Sequence, residues 1–409
     1  MSRFNVSTNH PIIPNANEYM YERQYVSIHS EDRNVLRFPS SSEFEVELPQ
    51  DYCNVQAVRL DSWTFPANYN TFSLAQNNIV IVFEITEPYN PGDWMVDDPL
   101  LAIIADALFA YKGQQFIAVI EEGFYNPFQI ANELTNRFNN SVSQYISSYI
   151  SQNAPTLLTQ FNLAGGYNQF VVVYNAVGQK LWFGNKSSNF VISNNSAIYL
   201  NNVIKDAICF RQQYPDFTNW GLPSYLGFTR CVATTSTASN GSYPRFFYGD
   251  VNPGDNGFWL VPDSQYLGNN ESIPVYYLEA PNKINLMGNS YFYLEIDGMN
   301  CIDELIPFAV NSFTIGTNET ASVVKSAFAK IAVTTTPLAQ WFDNNAGPSK
   351  VYNPPAERIR RLRLKLRYHD GSVVELGKFD FSIMLEFILF RPQQRREYKM
   401  FVPESIANA

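Results

Sequence analysis

This sequence has almost no histidine. His10, His29 and His369 are the three in 409 residues, and none has a second histidine or a cysteine at metal-ligand spacing. A zinc site has no ligand set to draw on, and each histidine reads as a surface or strand residue. Cysteine is scarce as well: Cys53, Cys209, Cys231 and Cys301 stand far apart. Without a close pair or a secretory leader they read as free thiols in a reducing compartment rather than a disulfide framework. The first 23 residues are polar and rich in Asn and Pro, and lack the apolar core of a signal peptide. No uncharged apolar run approaches the roughly 20 residues that span a bilayer, because Asp106 interrupts Leu100 to Ala110 and Glu386 interrupts Ile383 to Phe390. Also missing are a G-x-S-x-G elbow, a phosphate-cradling glycine loop followed by Lys, and a dinucleotide fingerprint. Hydrolase, kinase and Rossmann readings lose their usual support, so the expectation is a non-enzymatic chain with no cofactor and no metal.

Charge is also sparse, at 16% of residues against 15% aromatic and 45% hydrophobic. That balance favours β-sandwiches with large aromatic cores over helical bundles. A net charge of -10 argues against a surface that grips nucleic acid as a whole. The charge is uneven, however. Arg358 to Lys399 holds 11 basic and 5 acidic residues, a net +6, which leaves 17 basic and 33 acidic elsewhere, a net -16.

What is present is mostly alternation. Tyr25 to His29 alternates, then Phe44, Val46 and Leu48 point one way while Glu43, Glu45 and Glu47 point the other. Between them Ser30 to Asn34 is a charged turn. Further strands are predicted from Val55 to Phe65, ending at Pro66, and from Asn78 to Ile85, making four strands in the first 85 residues. A helix is predicted from Asp98 as cap and Pro99 as first residue, burying Leu100, Ile103, Ile104, Ala107, Leu108 and Tyr111 and stopping near Gly113. A second, short amphipathic one has Asn126 as cap, Pro127 behind it and Gln129 in the reciprocal position, with Ile130, Leu134, Phe138, Val142 and Ile146 at fourfold spacing. Strands resume at Phe170 to Tyr174, Lys180 to Phe183 and Asn189 to Ile192, with a hairpin turn at Asn175 to Gly178. Residues 231–270 read as a long loop excursion and a division between halves. Beyond it strands are predicted at Val275 to Leu278, Tyr291 to Ile296, Phe328 to Val333, Arg358 to Tyr368 and Phe379 to Phe390, the last of them central.

Few motifs suggest chemistry. Asp250 to Gly257 places oxygen ligands at alternate positions, but Gly254 and Asp255 break the EF-hand order, which leaves a Gly/Asn/Pro turn. Glu121 with Glu122, and Asp303 with Glu304, are adjacent acids that read as ordinary solvated carboxylates rather than a glycosidase pair facing across a cleft. Asn-x-Ser/Thr sequons follow from composition.

The sharpest local feature is the strand from Arg358 to Tyr368. With period two, Leu362, Leu364, Leu366 and Tyr368 enter the core while Arg361, Arg363, Lys365 and Arg367 form a basic row on the other face. Two readings stay open. The row opposes acids on a neighbouring strand, such as Glu43, Glu45 and Glu47, or it faces an acidic partner protein, anionic lipid heads or packaged nucleic acid, the protein being favoured. On the second reading Arg361, Arg363, Lys365 and Arg367, with Arg391, Arg395 and Arg396, are candidate partner-binding residues.

Tyr25 to Asn34, followed by Phe44-Glu45-Val46-Glu47-Leu48-Pro49 and Asn54 to Leu60, resembles the opening of virion proteins of the nucleocytoplasmic large DNA viruses. Glu121-Glu122-Gly123-Phe124-Tyr125, Tyr225-Leu226-Gly227-Phe228, Tyr291 to Ile296 and Asp380 to Phe387 continue the likeness over most of residues 24–390. His29 and Glu31 stand where that pattern more often has Asp and Arg. The resemblance implies a minor capsid protein of jelly-roll-like antiparallel β-sandwiches, made in the host cytoplasm and carried in the virion. Its implied partners are major capsid protein capsomers and other minor capsid proteins, with contact to the inner viral membrane surface and no specific nucleic acid. The predicted organisation is an extended arm over 1–23, a first β half over 24–230 with helices near 98–112 and 127–149, the excursion 231–270, a second β half over 271–391 and a tail over 392–409. The arm, body and basic end fit a role in stabilising contacts between capsomers. A penton or vertex protein is a variant of this reading. A carbohydrate-binding or host-attachment module, suggested by aromatic loops between Tyr214 and Tyr266, is the alternative from another class.

Overall fold

The computed structural model describes residues 19–66, 70–92, 98–193, 221–229, 233–239, 242–246, 257–267, 273–306, 323–333, 340–343, 347–369 and 371–392. Its strands in chain order begin β1 (Tyr19–His29), β2 (Glu43–Pro66), β3 (Val80–Glu87), β4 (Gln115–Val119), β5 (Phe170–Asn175), β6 (Lys180–Asn185), β7 (Asn189–Ser193) and β8 (Thr234–Thr235). They continue with β9 (Thr237–Ser239), β10 (Val275–Glu279), β11 (Tyr291–Ile296), β12 (Ile302–Ile306), β13 (Val323–Ala327), β14 (Ala329–Ala332), β15 (Gln340–Asp343), β16 (Ser349–Arg367) and β17 (Ser382–Pro392). The two long helices are α1 (Pro99–Ala110) and α2 (Pro127–Asn153). The fold is mostly β with antiparallel sheets, as the alternation predicts.

The chain forms two compact units, Met1–Tyr69 with Ser290–Ile306 and Val324–Ala409, and Asn70–Asn289 with Pro307–Val323. The predicted division at 231–270 therefore gives way to a discontinuous one. The first two strands join the last two because their buried stripes match in register, a long-range fact that no local pattern carries.

In the first unit the main sheet runs β1-β17-β2-β16-β11-β14, and β15 also pairs with β2. The segments at 44–48 and 55–65, read as separate strands, are one 24-residue strand. Its pairings with β16 and β17 shift register between Val351 and Ala356, Ile359 and Arg361, Met384 and Leu385, and Ile388 and Leu389. Bulges bend a strand and sharpen its twist, and β2 pairs with β16 along residues 43–59 and with β17 along 55–64. Strand β16 likewise starts well before Arg358, since Pro354 and Pro355 fall inside a register shift, where a missing N–H donor does not break a ladder. The core collects Phe44, Val58, Leu60, Phe65, Leu294, Leu364, Leu385 and Phe387. Tyr52 stacks on Phe387 with centroids 4.5 Å apart, and Phe65 stacks on Phe381 at 4.8 Å. Strand β17 is internal as predicted, but Phe379 precedes it and is exposed. Tyr19 to Arg23, read as part of an arm, belong to β1 and pair with β17.

In the second unit the sheets β5-β6-β10-β9 and β4-β3-β7-β8 share one core with α2. Asn126 and Gln129 form the predicted capping box. The helix is not short. Its stripe continues past Ile146 to Ile150, and Phe138 stacks on Phe83 with centroids 4.2 Å apart. At α1, Asp98 accepts hydrogen bonds from the backbone of Leu100 and Leu101. Leu101 is buried there, while Leu100, Ile103 and Tyr111 lie at the margin.

A second face of α2 does something the sequence reading missed. Thr135 Oγ1 accepts from Val172 N at 2.8 Å, Asn139 bonds both N and O of Phe170 at 2.9 and 2.8 Å, and Ser143 Oγ accepts from Tyr167 N at 2.8 Å. Side chains four apart on the helix thus serve the free edge of β5 as a neighbouring strand would, which closes an edge otherwise open to pairing.

Candidate functional site

The basic strand sits as its alternation predicts. Leu362, Leu364, Leu366 and Tyr368 are buried, while Arg361 and Arg363 are exposed on the opposite face. Strand β2 lies antiparallel beside it, so Arg361, Arg363 and Lys365 stand opposite Glu47, Glu45 and Glu43. Arg363 Nη2 lies 2.7 Å from Glu43, Arg361 Nη1 3.8 Å from Glu45, and Arg360 Nη2 2.6 Å from Glu47. Arg358 reaches Asp51 at 3.4 Å. At the register break between Ile359 and Arg361, where β2 holds the extra residues, Arg360 reaches Glu47 and is exposed like Arg361, so two consecutive arginines join the row against the period of two. Cross-strand pairing, one of the two readings of this row, is what the geometry contains. Exposed pairs of this kind add little to stability in water, and the guanidinium groups remain accessible. Asp297, Met299, Tyr352, Arg358, Arg360 and Arg361 line an open cavity of about 570 Å³ beside them.

Arg367 leaves the row. Only 2% of its side chain is exposed, and its Nε meets Glu295 while Nη1 lies 2.8 Å from Glu304 Oε2. That last contact is an ion pair off the N–H direction rather than a hydrogen bond. The guanidinium also covers the Tyr293 ring at 4.9 Å and donates to Tyr368 O at 3.2 Å. Burial alone would lower the Arg367 pKa, but the hydrogen bond with Glu295 and the close carboxylate of Glu304 outweigh it and hold it above the usual value. Glu304 is only 3% exposed and also meets His369 Nδ1, so it is not the solvated acid that its neighbour Asp303 suggested. Burial, followed by the charge of Glu304, pushes the Tyr293 hydroxyl up.

A second buried acid is Glu386, which the sequence shows only as an interruption of an apolar run. Tyr25, Glu386 and Arg59 stand in one register line across β1, β17 and β2. Arg59 lies 2.8 Å and Arg23 3.3 Å from the carboxylate, and the Tyr25 hydroxyl donates to it at 3.1 Å. A lone acid amid an apolar strand is the signal that points to such a site, because burial without a partner is costly.

The remaining candidates scatter. Arg391 lies in β17 with its side chain outside the described residues, as are Arg395, Arg396, His10, Cys209, Cys231 and most of the loop Asp250 to Gly257. His29 bonds Ser27 at 3.0 Å, and Cys53 and Cys301 are free and exposed. Glu122 accepts from Leu74 N at 2.7 Å, and the backbone of Glu121 is bonded to Glu133. Among the described residues no group of three or more His, Cys, Asp or Glu gathers to hold a metal ion, and no helix is long and apolar enough to cross a membrane. Of the aromatics between Tyr214 and Tyr266, Tyr225, Phe228, Phe246, Trp259 and Tyr266 are buried, which leaves none of those five faces free for stacking on a sugar.

No protein-family profile matches this sequence, and no curated protein matches it. One similar solved structure is the selenomethionine-labelled mavirus penton protein, with a TM-score of 0.36 and 5% sequence identity over 91% of this chain and 99% of that one.

Proposed function

We propose that this chain is a non-enzymatic capsid component of a large icosahedral double-stranded DNA virus. On this reading it occupies a minor capsid position, where it stabilises contacts with major capsid protein capsomers and other minor capsid proteins. The observation that carries the reading is the pairing of Tyr19 with Pro392. Strands β1 and β17 pair along their whole length, so residues 1–18 and 393–409 attach side by side at one end of the sheet. Two segments rooted at one point hold a neighbour more firmly than either alone, because once the first engages, the second binds at high effective concentration. The sequence likeness to virion proteins and the acidic body with a basic end support the same role.

Deleting residues 1–18, which spares β1, or residues 393–409 tests it in particles assembled with the variant chain. Each truncated chain keeps its melting temperature and fails to stabilise the shell. Normal assembly and particle stability with both segments deleted would overturn the proposal. A deletion running to Arg23 is unsuitable, since it removes part of β1 and the Arg23 contact to Glu386.

A further inference from the structure

Strand β1 ends the main sheet of the first unit, and its 11 residues pair with β17 in one unbroken register. Ser30 continues that register by donating its N–H to Phe381 O at 2.9 Å. Backbone groups alternate in direction along an antiparallel strand, so the N–H and C=O of Tyr21, Arg23, Tyr25 and Ser27 point away from β17. Among the described residues none of these outward groups has a hydrogen-bond partner.

An open edge templates the addition of another strand, and proteins ordinarily shorten, cover or charge their edges. The other edges of this molecule follow that rule. Side chains of α2 close β5, and β4, β8, β9, β12, β13 and β14 have five residues or fewer. Strand β1 does not. It contains no Pro, no Gly and no bulge, and its two charged side chains, Glu22 and Arg23, are of opposite sign.

The strand that fits this edge is β1 itself. An antiparallel copy centred on Gln24 overlaps the whole of Tyr19–His29 and sets Tyr21 opposite Ser27 and Arg23 opposite Tyr25. That register bonds every outward group of these four residues. Glu22 then faces Val26, and no like charges oppose each other. Arg23 and Tyr25 are both about half exposed, so the guanidinium of one chain is free to cover the ring of the other. The neighbouring registers are worse. A shift of two residues one way sets Arg23 against Arg23, and a shift the other way drives Tyr21 against His29, where the chain turns into Ser30–Asp32.

We propose that β1 pairs with β1 of a second copy about a two-fold axis through Gln24, joining two seven-stranded sheets into one. A two-fold interface requires a self-complementary surface, and a single strand supplies it here. The pairing uses main-chain bonds for affinity and the Arg23–Tyr25 contacts for register.

Gln24→Cys in the full chain, with Cys53, Cys209, Cys231 and Cys301 replaced by serine, tests the interface. Across the axis the two residues at position 24 form a non-hydrogen-bonded pair with Cα atoms about 4.5 Å apart, which a disulfide spans. Mild oxidation of the purified chain gives a covalent dimer from Gln24→Cys and none from Ser27→Cys, whose cysteine lies opposite Tyr21 of the copy. Adding Ser27→Pro removes an outward N–H and no bond to β17, so it lowers the yield of dimer about tenfold with the melting temperature unchanged. No dimer from Gln24→Cys, equal yields at positions 24 and 27, or a dimer that survives Ser27→Pro overturns the proposal. A photoreactive benzoylphenylalanine at position 24 that cross-links only within its own chain, or only to a different protein, overturns it as well.

Discussion

Arg363 reaches diagonally across the sheet: its register partner on β2 is Glu45, yet its Nη2 lies 2.7 Å from Glu43. Arg361 makes the same step, from Glu47 opposite it to Glu45, and Arg360, at the register break, reaches Glu47. The whole ladder is displaced by one rung in the same direction. It is an intact intrachain network with a basic outer surface, and its energetics follow from exposure.

The Arg360–Glu47 pair is more than half exposed on both sides. A double-mutant cycle with Arg360→Gln and Glu47→Gln, read by urea unfolding, gives a coupling of about 0.2–1 kcal/mol at low salt. At 1 M salt, where the screening length falls to about 3 Å, most of it disappears. A coupling that persists in salt contradicts this account of the ladder.

Arg367 behaves oppositely because it is buried. Glu304→Ala leaves the guanidinium without one of its two carboxylates and lowers stability by about 3–5 kcal/mol. Replacing both, with Arg367→Met and Glu304→Leu, costs far less, because the two fully buried charges go together and the remaining Glu295, 23% exposed, is reached by water. Equal losses in the single and double variants contradict the assignment.

Asn139→Ala removes both bonds to Phe170 and reopens the edge of β5. The expected loss is about 1–3 kcal/mol for the stranded backbone groups, with faster aggregation on heating. Chemical unfolding and light scattering read the two effects separately.

Tyr167 is buried, its hydroxyl accepts from Asn185 Nδ2 at 3.0 Å, and burial pushes its pKa from 10.0 up to about 12. The folded state therefore keeps the proton that the unfolded state loses. The contribution is fully present below pH 10 and falls away as pH rises toward 12, by roughly 2–3 kcal/mol at the top of that window. Tyr167→Phe is less stable at neutral pH through the lost hydrogen bond but declines less steeply from pH 10 to 12. Parallel alkaline curves for the two proteins contradict the shift.

What was legible in the sequence was local. Asp98, Asn126 and Gln129 announce their helices because capping uses fixed short spacings, and Leu362 to Tyr368 announces its buried face through period two. Pro49 and Asn54 hid the continuity of β2, and Pro354 and Pro355 hid the start of β16, since bulges tolerate residues that otherwise signal breaks. The Arg367 cluster joins β11, β12 and β16, and the Glu386 cluster joins β1, β2 and β17. Neither was readable before pairing was known, because each depends on which strands become neighbours.

A density map of the assembled particle tests the central claim most directly. The account predicts the chain between capsomers, with the end of the sheet at Tyr19 and Pro392 against a neighbouring protein. A particle that lacks the chain, or that holds it with that end turned to solvent, contradicts it.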